Sequence, residues 1–236
     1  MHHYRDRLVS AMKVRASQER ARWWNDCLKG AIPFMGLALF DIHQVIGEFE
    51  EKEQWSHLPM NRQVNLVYGL MRGEYAEEKL AAIMFIQLFW LKRERPVFIM
   101  RLVSDWFDER YIFDWHTTDW LSVRILTPLL DRGDPEVMAH LVRWNKNPYL
   151  WKARASLVPF ALARTRASHQ PVIRRFADVL IRRDEPYAKT AVGWVMRECS
   201  RDSLDFVLGF LSQHVKYTSS EVKRNALKHY RYKPKS

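Results

Sequence analysis

The chain has 236 residues, 47% of them hydrophobic, which is enough for a packed core and argues against disorder. Glycine is scarce at 8 residues, and neither G-x-x-x-x-G-K-[ST] nor G-x-G-x-x-G occurs, which argues against nucleotide-binding loops of those kinds. Against 27 acidic residues stand 38 Lys+Arg, a formal net charge of +11, and such an excess favours a polyanionic partner.

The first stretch, "MHHYRDRLVSAMKVR", is charged and lacks the apolar run of a signal peptide. Residues 1–30 are expected to form an N-terminal helical cap. Cys27 and Cys199 lie far apart and give neither a disulfide framework nor a zinc spacing, which fits a reduced, intracellular setting. "LAAIMFIQLFWL" at 80–91 has about two-thirds of the length needed to span a bilayer. It is interrupted by Gln87 and bounded by charges, so it reads as a buried helix with no membrane association.

"FDWHTTDW" at 113–120 places Trp115 and Asp119 at i, i+4, on one face of a helix. Two readings stand side by side. A carboxylate beside an indole could act on a developing cation. In the other reading, Trp115 is core, and Asp119 or Thr117 caps the helix carrying "WLSVRILTPLL"; if Trp115 and Asp119 form a site, Trp120 is the better core candidate. His116 with Asp114 and Asp119 has no further histidine nearby, and no metal site is expected.

In "EVMAHLVRWNKN", Val137, Leu141 and Trp144 form one apolar stripe. In "YLWKARASLVPFALAR", Arg154 follows Trp151 by three positions on an apolar face, where it either snorkels to solvent or takes a phosphate. In "KTAVGWVMRE", Gly193 allows close helix approach beside Trp194, and Glu198 with Arg197 is expected to face away. "SLDFVLGFLSQH" carries a second stripe of Leu204, Val207, Leu208 and Leu211. "EVKRNALKHYRYKPKS" is a basic helix followed by a basic tail at 232–236.

No convincing run of alternating, β-branched residues marks a strand. Punctuation comes from "RERP", "DRGDP", "NKNP", "RASHQP", "RRDEP" and "SRDS". These signals recur roughly every 15 to 20 residues, the length of one helix and a short turn. Paired, such helices give a repeat of roughly 35 to 40 residues, the period of HEAT-like units. The expected fold is all-α, about ten to twelve helices in HEAT-like repeats stacked into a curved α-solenoid with a concave basic face. It forms a single domain over 1–236, without a dividing linker.

The residues also carry a resemblance. W-x-x-x-D at Trp115 to Asp119, W-x-x-R-A at Trp151 to Ala155 and "AVGWVMRE" at Ala191 to Glu198 occur in order, with "PFMG" at Pro33 to Gly36 and "KRNALKHY" from Lys223. Together, over roughly residues 30 to 230, they resemble the DNA alkylation repair family of HEAT-like-repeat DNA glycosylases, of the AlkD type. The resemblance implies that Asp119 is the catalytic carboxylate, and that Trp115 and Trp194 pack against the deoxyribose at the lesion. Arg154 would contact the backbone there. Lys152, Lys189, Lys223, Arg224 and Lys228 are the further expected DNA contacts.

The implied reaction is hydrolysis of the N-glycosidic bond of an N3- or N7-alkylated purine in double-stranded DNA, by a monomer without a cofactor. The alkylated base is cationic and leaves without a proton. A carboxylate near C1′ would stabilise the oxocarbenium character and position the water. The product is an abasic site, and the base is never enclosed in a pocket. The sequence departs from the family where Phe40 and His43 follow "PFMG" in place of a proline and a basic residue, so the N-terminal contacts do not carry over. A non-catalytic DNA-structure binder and a protein-binding scaffold remain as alternatives. Asp119 between its tryptophans speaks for the enzyme.

Overall fold

Residues 3–231 are described by a computed structural model of the chain, and every regular element among them is helical. The basic tail expected at 232–236 lies outside the described residues. The polypeptide divides into two packed units that interleave in sequence. The first holds the chain up to Arg95 together with Asp108–Trp120, the second Pro96–Phe107 together with the chain from Leu121 on.

The first unit is built on α1 (His3–Val14), α2 (Gln18–Cys27), α3 (Leu39–Glu53), α4 (Met60–Met71) and α5 (Ala76–Phe85). Helices α1 and α3 bury Leu8, Val9 and Met12, and Ile42, Val45, Ile46 and Phe49, each set on one helical face. Helix α5 is buried on every side, as its apolar run predicts, and passes into a π turn over Ile86–Trp90. No described helix is long and apolar enough to cross a membrane.

In the first turn of α5 the charges that bound the apolar run, Glu77, Glu78 and Lys79, are exposed by only 1%, 1% and 2%. Each has a fixed task. Glu77 Oε1 accepts the amides of Gly36 at 2.7 Å and Leu37 at 3.1 Å, and its Oε2 accepts that of Met35 at 2.9 Å. Glu78 pairs with Arg5 at 2.6 Å, and Lys79 Nζ donates to the Met71 carbonyl at 2.6 Å. Gly36 sits at φ +95°, where a Cβ would overlap the Ser17 carbonyl, so only glycine fits this turn. Phe34 is held beside it, its amide on Asn25 Oδ1 at 3.1 Å.

The second unit contains α6 (Pro96–Asp108, but for its last residue) and, after α7 (Trp115–Leu121), a π turn over Ser122–Leu126 and α8 (Thr127–Leu130). Pro128 offers no N–H to the Arg124 carbonyl, and the backbone widens so that the Thr127 amide reaches Ser122. There follow α9 (Pro135–Asn145), α10 (Leu150–Leu157), α11 (Gln170–Ile181), α12 (Pro186–Cys199), α13 (Leu204–Gln213), α14 (Ser220–Ala226) and α15 (Lys228–Arg231). The fifteen α-helical segments exceed the expected ten to twelve because short pieces such as α8 and α15 stand as segments of their own.

The proline signals mark helix starts: Pro96, Pro135 and Pro186 each occupy a first helical position. The α9 stripe of Val137, Leu141 and Trp144 is buried as read. That of α13 is not. Val207, Phe210 and Leu211 are buried while Leu208 is 44% exposed, because the packed face runs at i, i+3, i+4 through Phe210. Asn145 fastens three helices, its Nδ2 donating to Ser156 Oγ at 3.1 Å and to the Phe176 carbonyl at 3.2 Å.

Helices α12 and α14 meet at Gly193, where an added Cβ would lie 3.4 Å from Asn225 Nδ2 and 3.5 Å from Val222 Cα. A methyl fits there and a larger group does not. Gly193→Ala should therefore keep wild-type stability within about 1 kcal/mol, whereas Gly193→Leu should lose about 1–3 kcal/mol by overpacking. In the first unit, Glu77→Ala strands three buried amides and should cost about 3 kcal/mol or more. Urea unfolding curves of the three variants test both statements.

Candidate active site

Helix α7 begins one residue after a capping acid, and that acid is Asp114. Its Oδ1 accepts the Thr117 amide at 2.8 Å, and its carbonyl accepts the Thr118 hydroxyl at 2.7 Å. The expected caps, Asp119 and Thr117, both lie inside the helix instead. Starting α7 at Trp115 leaves Asp119 a full turn further on, on the face of Trp115. Both side chains are partly exposed. Trp120 is partly exposed as well and is not a core residue.

Trp115 rests on an apolar cluster of Leu28, Ile32, Phe34 and Ala76, as does Trp24. Between these aromatics lies His116, 6% exposed, its ring centroid 5.0 Å from Trp24, 5.6 Å from Phe34 and 5.9 Å from Trp115. Trp24 and Phe34 stack at 5.3 Å with planes 11° apart. His116 is thus a wedge in an aromatic cluster. Trp24 and Phe34 were not singled out as site residues. The Trp23–Trp24 doublet beside "PFMG" was the available signal, but nothing local links it to a helix some 90 residues on.

Charges under this helix are held far from water. Burial pushes the Asp114 carboxyl above its ordinary value, opposed by the Thr117 amide and the Lys79 ammonium. Burial also lowers Lys79 to about 8, against the pull of Asp114 and Glu78. Asp114 Oδ2, Thr117 Oγ1 and His116 Nδ1 have no hydrogen-bond partner among the described residues. No group of three potential metal ligands occurs among those residues either.

In the second unit, Arg154 on α10 is 4% exposed and neither snorkels nor points outward. Its Nη1 donates to the Tyr187 carbonyl at 2.5 Å and to Thr190 Oγ1 at 3.1 Å, both on α12. Thr190 lies one turn before Trp194, so the guanidinium reaches the α12 face that bears this half-buried indole. Glu198 does not face away. It is 6% exposed and pairs with Arg197 at 2.8 Å, Arg201 at 3.3 Å and His229 at 3.6 Å.

The remaining expected DNA contacts divide by exposure. Lys223, Arg224 and Lys228 are exposed on α14 and α15, and Lys189 is half-buried on α12. Lys152 is 5% exposed, its ammonium 3.5 Å from the Ser104 carbonyl and 5.7 Å from the centre of the Trp144 ring.

Burial lowers the His116 imidazole from its ordinary 6.5 to about 4, with Asp119 pulling the other way. Between those two values the unfolded chain binds the proton that the folded chain refuses, so stability is lost as pH falls from 6.5 to 4. The loss amounts to about 3 kcal/mol. Asp114 contributes the opposite slope, since a raised carboxyl favours the folded state on the acid side. His116→Phe keeps an aromatic wedge and removes only the first contribution. The stability of this variant relative to wild type should therefore rise by about 3 kcal/mol between pH 7 and pH 4, measured by urea unfolding at each pH.

A family model described as DNA alkylation repair enzyme matches residues 8–230. Among solved structures, the chain is similar to one described as a predicted DNA alkylation repair enzyme from Enterococcus faecalis, with a TM-score of 0.75 and 15% sequence identity over 94% of this chain and 98% of that one. At that identity the likeness concerns the fold. No curated protein matches the chain. The family match runs through almost every helix described above, and the chain belongs to the DNA alkylation repair enzyme family.

Proposed function

We propose that the protein is a monofunctional DNA glycosylase that hydrolyses the N-glycosidic bond of N3- or N7-alkylated purines in duplex DNA and leaves an abasic site. Family membership supports a DNA repair role with DNA as the partner. The observation that carries the finer reading is the pairing of Trp115 and Asp119 one turn apart on α7, both partly exposed above a packed aromatic cluster. Asp114 supplies the cap of α7, so Asp119 is not the capping acid of that helix.

In this reading the base, cationic by alkylation, departs without a proton. Positive charge then grows on the sugar. Asp119 stabilises that charge and positions or deprotonates the water, while Trp115 and Trp194 offer their faces to the deoxyribose, each worth of order 1 kcal/mol. Arg154 is assigned the backbone phosphate, and Lys189, Lys223, Arg224 and Lys228 the flanking phosphates. The base stays outside any enclosed pocket. The finer fold proposed with this function is HEAT-like repeats stacked as a curved solenoid with a concave basic face, acting as an intracellular monomer.

A second reading is a DNA-structure binder without catalysis. The hydrogen bonds of Arg154 to Tyr187 and Thr190 favour it, since a guanidinium held this way can brace α12 without touching DNA. Base release from methylated duplex separates the two. Asp119→Asn should bind the duplex as wild type does but release 7-methylguanine at least about 100-fold more slowly. Equal release by both proteins would remove Asp119 from the mechanism, and no release by wild type would establish the binder.

A further inference from the structure

We propose that Arg72, held in place by Tyr68 and Tyr111, is a pre-built clamp for a backbone phosphodiester of duplex DNA beside the lesion. The site uses none of the residues assigned above, and it rests on the DNA-binding reading.

Arg72 follows directly on the last residue of α4, where the helix end favours a cation. That accounts for a charge at this position, but not for the way it is held. Tyr68, one turn earlier on α4, brings its ring centre to 5.7 Å from the guanidinium carbon, and the Tyr111 ring lies 5.4 Å from the same atom. The Arg72 Nε donates to the Tyr111 hydroxyl at 2.9 Å. Tyr111 is itself anchored, because the next residue, Ile112, is fully buried. One ring from its own helix and one from a segment 39 residues on thus fix the guanidinium, all within the first unit.

What this holding leaves free is a fork. Arg72 is exposed, and its Nη1 and Nη2 groups make no hydrogen bond or ion pair among the described residues. Glu74, Asp108 and Glu109 are the acids nearest in sequence to Arg72 or Tyr111, and none of them pairs with it. The Tyr111 hydroxyl accepts from Nε and keeps its own proton to donate. Two amino groups in one plane, with a hydroxyl beside them, suit the two free oxygens of a phosphodiester. Because the fork is already fixed, closing on a phosphate costs little side-chain freedom. Tyr111 lies four residues before Trp115, at most about 14 Å along the backbone. That is no more than about four nucleotide steps of one strand, so the phosphate belongs to a nucleotide flanking the one whose sugar meets Trp115. A duplex is the source that the net charge of +11 favours.

The test is the salt dependence of duplex binding by wild type, Arg72→Gln and Tyr111→Phe, with thermal melting to show that all three are folded. Arg72→Gln should weaken binding about tenfold and lower the slope of log K against log salt by about 1. Tyr111→Phe keeps the charge and a ring but frees the fork, so it should weaken binding severalfold at the wild-type slope. A folded Arg72→Gln with wild-type affinity and slope overturns the site, and wild-type binding by Tyr111→Phe overturns the clamp. A further arm titrates inorganic phosphate into wild type and follows the Arg72 Nε resonance. A shift there, with an unchanged duplex slope in Arg72→Gln, overturns the DNA assignment in favour of a free-phosphate site. Failure of wild type to bind duplex at all overturns the DNA-binding reading itself, and this inference with it.

Discussion

Three amide protons on one buried carboxylate hold the first unit together. Glu77 cannot be solvated where it stands, and the turn at Met35–Leu37 cannot satisfy its own amides. Each needs the other, so the turn is drawn onto the start of α5 and Phe34 is presented in a single direction. Phe34 then stacks on Trp24, the pair encloses His116, and His116 meets Trp115 on α7. Hydrogen bonds from one turn to a buried carboxylate, beside the cluster on which Trp115 rests, thereby help to orient one of the proposed indoles.

The second unit reaches a similar end with different means. Here a guanidinium, not a carboxylate, is the buried charge, and the backbone it satisfies belongs to the helix of Trp194. Helix α12 is held on a second side by α14 at Gly193 and on a third by the Glu198 cluster. Both tryptophans of the proposed site consequently stand on helices fixed by buried polar contacts, which favours precise placement over adaptability.

Much of this was legible from the residues. Helix starts followed from Pro96, Pro135 and Pro186, because proline fixes φ and gives up an amide that a first turn does not use. The pairing of Trp115 with Asp119 followed from spacing. Three features did not follow. "FDWHTTDW" contains two acids able to cap, and only the true start of α7 decides for Asp114. The α13 stripe turned on whether Leu208 or Phe210 faced inward, and the run is apolar enough to permit either. The burial of Glu77 and Glu78 was hidden because charge is visible in a sequence, whereas partners some 40 or 70 residues away are not.

The interleaving of the two units bears on how the chain can be made. A nascent polypeptide that has emerged through Arg95 still lacks Asp108–Trp120, the segment that supplies Asp114 to Lys79 and His116 to the aromatic cluster. Before completing that unit, the ribosome must deliver Pro96–Phe107, which finds its neighbours only later. No single break in the chain separates the units cleanly. Recombination at a single junction therefore cannot transfer either unit intact.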